Sequence, residues 1–168
     1  MRETLFNWLG GRVSGARCLD LFAGSGALGL EALSRGALHV TFVERDGVAA
    51  RELQARLTEW GATGAKVEQS DALRFLAGRL LAHGRGAEPF QIVFLDPPFA
   101  GGLLPRAAEL LERQHWLAPE ALIYVESSAR EALPPLPSTW SLVKAKQAGE
   151  VGYHLLARTQ PERGAGEE

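Results

Sequence analysis

The sequence predicts an α/β fold: an open, mostly parallel sheet of about seven strands, with helices on both faces and a C-terminal antiparallel hairpin. Three observations carry that prediction. Short apolar runs alternate with helical periodicity from Arg17 to Glu126, as βα units do when they feed a parallel sheet. One strand-to-helix joint is glycine-rich, Gly24-Ser25-Gly26-Ala27-Leu28-Gly29. After Pro134-Pro135-Leu136-Pro137 the alternation stops, and Trp140 to Lys146 and Glu150 to Ala157 read as two strands joined by a turn at Gln147-Ala148-Gly149.

In order along the chain, Arg2 to Leu9 is an amphipathic helix with Leu5, Phe6 and Leu9 on one face, stopped by Gly10-Gly11. Strands are expected at Arg17 to Phe22, His39 to Glu44, Ala65 to Gln69, Gln91 to Leu95 and Ala121 to Glu126. Helices are expected at Gly26 to Arg35, Gly47 to Trp60, Ala72 to Leu81 and Leu104 to His115. His83 to Pro89 reads as a flexible loop. The four tryptophans, Trp8, Trp60, Trp116 and Trp140, are expected in the core, where large aromatics are mostly buried.

A chain of 168 residues with 46% hydrophobic and 23% charged residues has the size of one domain, placed at 1–158 and followed by a polar tail from Thr159. It contains no apolar run long enough to span a membrane and no signal-peptide pattern, so a cytoplasmic protein is expected. The one cysteine, Cys18, excludes an internal disulfide and reads as a small core residue. His39, His83, His115 and His154 show no ligand spacing, so no metal is expected. The formal charge of −2 lacks the basic excess that phosphate contacts usually bring, and Arg12, Arg17, Lys144 and Lys146 are scattered.

Asp96-Pro97-Pro98-Phe99 follows the expected strand Gln91 to Leu95. The prolines fix φ and donate no N–H, so the Asp96 carboxylate and the Pro97 carbonyl form a corner of acceptors suited to an exocyclic amine. Phe99 is placed to stack on the heterocycle that carries it. The plain alternative is an Asp-Pro turn with Phe99 in the core. Upstream, Gly24-x-Gly26-x-x-Gly29 matches a dinucleotide fingerprint, with Glu44 at the right remove for ribose hydroxyls. Two acids favour S-adenosylmethionine over a nicotinamide: Asp20, which suits a cationic amino end, and Asp71, which suits an adenine amino group. Asp71 also reads as the N-cap of the next helix, and both roles can coexist. Asp20, Glu44, Asp71 and Asp96 all fall at or just past strand ends, on the sheet edge where such folds bind ligands.

These segments resemble the RsmD family, bacterial guanine-N2 methyltransferases of small-subunit (16S) ribosomal RNA. The likeness runs through Arg2 to Leu9, Asp20 to Arg35, Asp96 to Phe99 and Leu122-Ile123-Tyr124-Val125-Glu126. It implies a Rossmann-like methyltransferase fold and transfer of a methyl group from S-adenosyl-L-methionine to guanine N2. Asp96, Pro97 and Phe99 would be catalytic; Asp20, Phe22, Ala23, Gly24, Ser25, Gly26, Glu44, Arg45, Asp71 and Ala72 would bind the cofactor. The partner would be 16S rRNA or the small ribosomal subunit, met by a monomer. Family members carry a basic N-terminal extension, whereas Met1 here stands directly before the first helix. The expectation is a shortened form or a misassigned start, able to bind cofactor but impaired on RNA; an in-frame stop codon just upstream of Met1 would exclude it. Competing readings are an adenine-N6 or other nucleic-acid amino-methyltransferase, a nicotinamide-dependent oxidoreductase, and a non-catalytic RNA-assembly factor.

Overall fold

A computed structural model describes residues 2–78, 88–98 and 102–159. Helix α1 spans Arg2–Leu9 and a 3₁₀ turn follows at Gly10–Arg12. Then come β1 (Arg17–Asp20), α2 (Ala27–Ser34), β2 (His39–Glu44), α3 (Gly47–Glu59), β3 (Ala65–Gln69), α4 (Ala72–Ala77), β4 (Phe90–Leu95), α5 (Leu103–Arg113), β5 (Leu117–Ser128), β6 (Trp140–Ala148) and β7 (Val151–Arg158). The seven strands form one sheet in the order β3-β2-β1-β4-β5-β7-β6. The first five run parallel, and β7 is antiparallel to both β5 and β6. The order reverses between β1 and β4, which opens a crevice beyond their C-terminal ends.

Side chains alternate across the strands, so successive residues feed two separate cores. Leu19, Val93, Leu95, Ile123 and Val125 face the core under α4 and α5, where Trp116 stacks on Phe75 at 4.9 Å and donates its indole N–H to the Leu76 carbonyl at 2.9 Å. Cys18, Ile92, Phe94, Leu122 and Tyr124 face the core under α1, α2 and α3. There α1 lays Phe6 against Phe94, ring centroids 6.0 Å apart.

Glycine is required twice where α2 meets the sheet. A Cβ on Gly29 would lie 2.3 Å from Cε1 of Phe42, and one on Gly26 would lie 2.6 Å from Cδ1 of Leu53. Gly26 also sits at φ +79 as the N-cap of α2. The helix therefore approaches β2 closely enough to hold the loop before it over the strand tips.

Several boundaries differ from the sequence expectation for identifiable reasons. Strand β5 begins at Leu117, not Ala121, with an irregular register between Phe90 and Ile92 opposite it. Pro119 lacks the N–H a regular ladder needs, which hid the early part of this strand. Strand β1 ends at Asp20, although Leu21 still donates its N–H to the Phe94 carbonyl at 3.3 Å. The hairpin turn is Gly149-Glu150, later than expected, with Gly149 at φ +58. Trp60 is not core. It is the C-cap of α3, beyond the buried face formed by Ala50, Leu53 and Leu57, and is 61% exposed. Thr159, expected in a frayed tail, donates its N–H to the Thr139 carbonyl at 2.7 Å. The helix expected to reach Leu81 ends at Ala77, where Gly78 is its C-cap and donates its N–H to the Arg74 carbonyl; His83 and most of the loop around it lie outside the described residues.

A Cβ at position 29 would press on the Phe42 ring and on Val40 in the second core, so Gly29→Ala is expected to destabilise the protein by about 1–3 kcal/mol through overpacking. Urea denaturation checks this. An unchanged midpoint would mean that α2 does not depend on its tight seat on β2.

Candidate active site

A cleft of about 570 Å³ opens at the C-terminal edge of the sheet, across the β1–β4 reversal. Its size suits a nucleoside-sized ligand. One wall is the loop after β1, with Phe22 and Gly24; the middle is the end of β2, with Glu44 and Arg45; Asp71 and Ala72 follow; and the far wall is Asp96, Pro97 and Pro98. Eight of the residues expected from sequence thus line one cavity.

Each is placed by local chemistry. Gly24 stands at φ +55, and a Cβ there would meet nothing within 4 Å, so its backbone presents an open face to the cleft. Glu44 fixes that loop: Oε2 accepts the Gly24 N–H at 2.7 Å and Oε1 accepts the Asp46 N–H at 2.9 Å. Each oxygen keeps a second lone pair for a ligand hydroxyl. Asp46 caps α3 by accepting the Ala49 N–H at 2.9 Å. Asp71 caps α4, its Oδ1 accepting the Arg74 N–H at 3.0 Å while the residue lines the cleft, so the two roles weighed from sequence are compatible in one side chain.

Four expected residues are not in the cleft wall. Ala23 is buried and donates its N–H to the Val43 carbonyl at 3.0 Å. Ser25 turns away, its carbonyl accepting from Arg56 at 3.1 Å. Gly26 lies packed under the loop against Leu53. Asp20 is 3% exposed and sits beneath the glycine turn, where Oδ2 accepts the Gly29 N–H at 3.0 Å. It braces the loop from below, which is not the direct contact with a cationic ligand expected from sequence. Phe99 lies outside the described residues.

Asp96 stands at the tip of β4 and lines the cleft, and Pro97 beside it is buried. The Pro97 carbonyl is unclaimed by any described backbone N–H.

The chain matches the family described as Conserved hypothetical protein 95 over residues 1–157. Ribosomal RNA small subunit methyltransferase D of Escherichia coli K12 is 49% identical over 158 residues, covering 94% of this chain and 76% of that protein. The Haemophilus influenzae protein of the same name is 42% identical over 155 residues, covering 92% and 78%. The chain belongs to the RsmD methyltransferase family. The solved structure of Escherichia coli yhhF superposes with a TM-score of 0.88 at 49% identity, covering 95% of this chain and 86% of that one.

Within this RsmD-family member the sequence reading missed one neighbour of the corner. Glu126, at the end of β5, comes beside Asp96 at the end of β4. Burial, then the neighbouring Glu126, push the Asp96 carboxyl up to about 7. An ordinary aspartate would be fully ionised at neutral pH; Asp96, raised this far, is not. The signal was available: Phe94 pairs with Tyr124 and Leu95 with Val125, so the next positions, Asp96 and Glu126, fall side by side.

A larger hollow, about 1080 Å³, lies at the opposite sheet edge between Gln91, Glu120 and Arg158. It contains neither the glycine loop nor the Asp96 corner. Among the described residues no group of His, Cys, Asp and Glu is arranged to hold a metal ion, and no helix is long and apolar enough to cross a membrane.

Burial pushes the Asp20 carboxyl up to about 7; the Asp96 and Glu44 charges add to this, while the Gly29 N–H opposes it. A carboxyl raised in the folded state contributes stability that is full below its unfolded pKa near 3.8 and is lost as pH rises through about 7. Asp20→Asn keeps an acceptor for Gly29 but cannot ionise. Its loss of stability between about pH 4 and about pH 7 should be smaller than that of the wild type. An identical pH dependence of the urea midpoint in both proteins would contradict this placement of Asp20.

Proposed function

We propose that this chain transfers a methyl group from S-adenosyl-L-methionine to the exocyclic N2 amine of a guanine in small-subunit (16S) ribosomal RNA. The observation that carries the reading is the acceptor corner, Asp96 with the Pro97 carbonyl, set across one cleft from Glu44 and Asp71. The printed names of the relatives, which specify ribosomal RNA small subunit methylation, support the choice of substrate. In this reading the protein works in the cytoplasm as a monomer on 16S rRNA or the assembled subunit.

The cleft suits the cofactor on its own geometry. In this reading Glu44 meets the ribose hydroxyls, Asp71 and the backbone of Ala72 the adenine edge, and the open backbone of Gly24 the amino-acid portion, with Phe22 and Arg45 beside it; all six line the one cleft. When bound, S-adenosylmethionine supplies an electrophilic methyl group on a cationic sulfonium.

The residues of the chain supply the rest. Guanine N2 is a weak nucleophile because its lone pair is delocalised into the ring. Asp96 and the Pro97 carbonyl can accept its two N–H donors, which localises that pair and fixes its direction. Most of the acceleration in such a site comes from positioning and preorganised charge. As positive charge develops on the nitrogen, the acidic corner stabilises it and takes up the surplus proton.

Asp96→Ala is expected to retain S-adenosylhomocysteine affinity by calorimetry while methyl transfer to undermethylated small subunits falls by roughly 10²–10⁴-fold. Near-wild-type tritium incorporation would remove Asp96 from the chemistry. Glu44→Ala releases the Gly24 loop as well as the ribose contact, so the S-adenosylhomocysteine Kd should rise by roughly 10- to 100-fold. An unaltered Kd would displace the ribose from Glu44.

A further inference from the structure

We propose that Glu126 is a positioning residue for methyl transfer: it holds Asp96 through a shared proton, and it receives the proton displaced from the amine by relay through Asp96. This rests on the reading of Asp96 as the residue that meets the target amine.

The geometry is a line of polar groups on one face of three neighbouring strands. In β4 and β5, Phe94 and Tyr124 are register partners facing the same core, and Asp96 and Glu126 follow each of them by two positions. The Tyr124 hydroxyl donates to Glu126 Oε1 at 2.7 Å. Opposite Glu126 in β7 stands Tyr153, whose ring stacks on that of Tyr124 at 6.5 Å. Tyr124 is 2% exposed, so its hydroxyl is held by packing and has little freedom to swing away.

The donor and acceptor pattern assigns the protons. Tyr124 gives its hydrogen to Glu126, and a carboxylate accepts such a bond better than a carboxylic acid does. In this proposal Glu126 is the proton acceptor of the pair, and the shared proton starts on the Asp96 oxygen that faces it. The other Asp96 oxygen is left as an acceptor toward the cleft. Two carboxyl groups this close do not both ionise readily, which agrees with the raised Asp96 carboxyl.

Among the described residues, the charged and titratable groups around Asp96 are Asp20 from β1, Glu126 and Tyr124 from β5, and Tyr153 from β7. Glu44, Arg45 and Asp71 lie across the cleft. No cation among these pairs with Glu126, so the shared proton is what relieves the repulsion.

The step balances. The amine lone pair forms the new N–C bond, and the electron pair of the breaking C–S bond stays on sulfur. The nitrogen, now cationic, passes one proton to the open Asp96 oxygen while the proton already on Asp96 moves to Glu126. Asp96 ends neutral as it began, Glu126 ends protonated, and Glu126 then releases one proton to water.

The test uses the whole protein and two independent readouts. Carbon-13 carboxyl NMR of the free protein follows Asp96 directly. Glu126→Gln should lower the Asp96 titration midpoint by about one pH unit or more, and Tyr124→Phe, which removes a donor to the Glu126 anion, should raise it. Opposite shifts from adjacent residues are not produced by a merely structural role. In steady-state assays Glu126→Gln should reduce kcat by about 10²-fold with KM for the RNA and Kd for S-adenosylhomocysteine within about twofold, and Glu126→Asp should restore part of kcat. An unmoved Asp96 midpoint in both variants, or a wild-type kcat in Glu126→Gln, would overturn the proposal. If wild-type protein transfers no methyl group to small-subunit RNA, the parent reading fails instead, and the NMR arm still decides whether the pair shares its proton.

Discussion

The parallel register of β2, β1, β4 and β5 is the constraint from which the site follows. Because these strands run the same way, their C-terminal residues finish on one edge, and Asp20, Glu44, Asp96 and Glu126 arrive there from four separate stretches of chain. The order reversal between β1 and β4 then leaves room between the tips. Glu44 converts that room into a shaped cleft, since its two oxygens bind the backbone of the β1 loop on one side and of the α3 entry on the other.

Gathering carboxyl groups at one edge works against stability. Asp20 is nearly sealed from water and Asp96 faces Glu126, and both are driven toward their neutral forms. The fold tolerates this because the acids around Asp96 have donors to satisfy them: the Gly29 N–H for Asp20, the Gly24 and Asp46 N–H groups for Glu44, the Arg74 N–H for Asp71 and the Tyr124 hydroxyl for Glu126. Away from the site the opposite arrangement holds. Burial alone would raise the Glu112 carboxyl, but hydrogen bonds from Arg158, Trp140 and Thr139 hold it below the usual range and fasten α5 to the terminal hairpin. The contrast is between an acid held in its charged form by cationic and N–H donors and acids driven toward their neutral forms.

Much of this was legible in the amino-acid order. Periodicity marked every strand and helix among the described residues, because buried strands and amphipathic helices leave different repeats. The Pro134-to-Pro137 break marked the change from parallel to antiparallel pairing. What escaped was set by tertiary partners. The early part of β5 was hidden by Pro119, and exposed Trp60 looked like core because only the chain's exit from α3 turns it outward. Asp20 was read as a ligand contact, since a sequence shows that an acid ends a strand but not that Gly29 folds back to claim it. Glu126 was quoted as part of a motif without a role, because its partner Asp96 lies on a neighbouring strand and only the register brings them together.

The measurement that tests the account most directly is a crystal structure of this protein with S-adenosylhomocysteine and guanosine. The account predicts the adenosyl group between Glu44 and Asp71, and the guanine N2 within hydrogen-bond distance of an Asp96 oxygen and the Pro97 carbonyl. An adenosyl group bound elsewhere, or an Asp96 carboxyl turned away from the base, would contradict it.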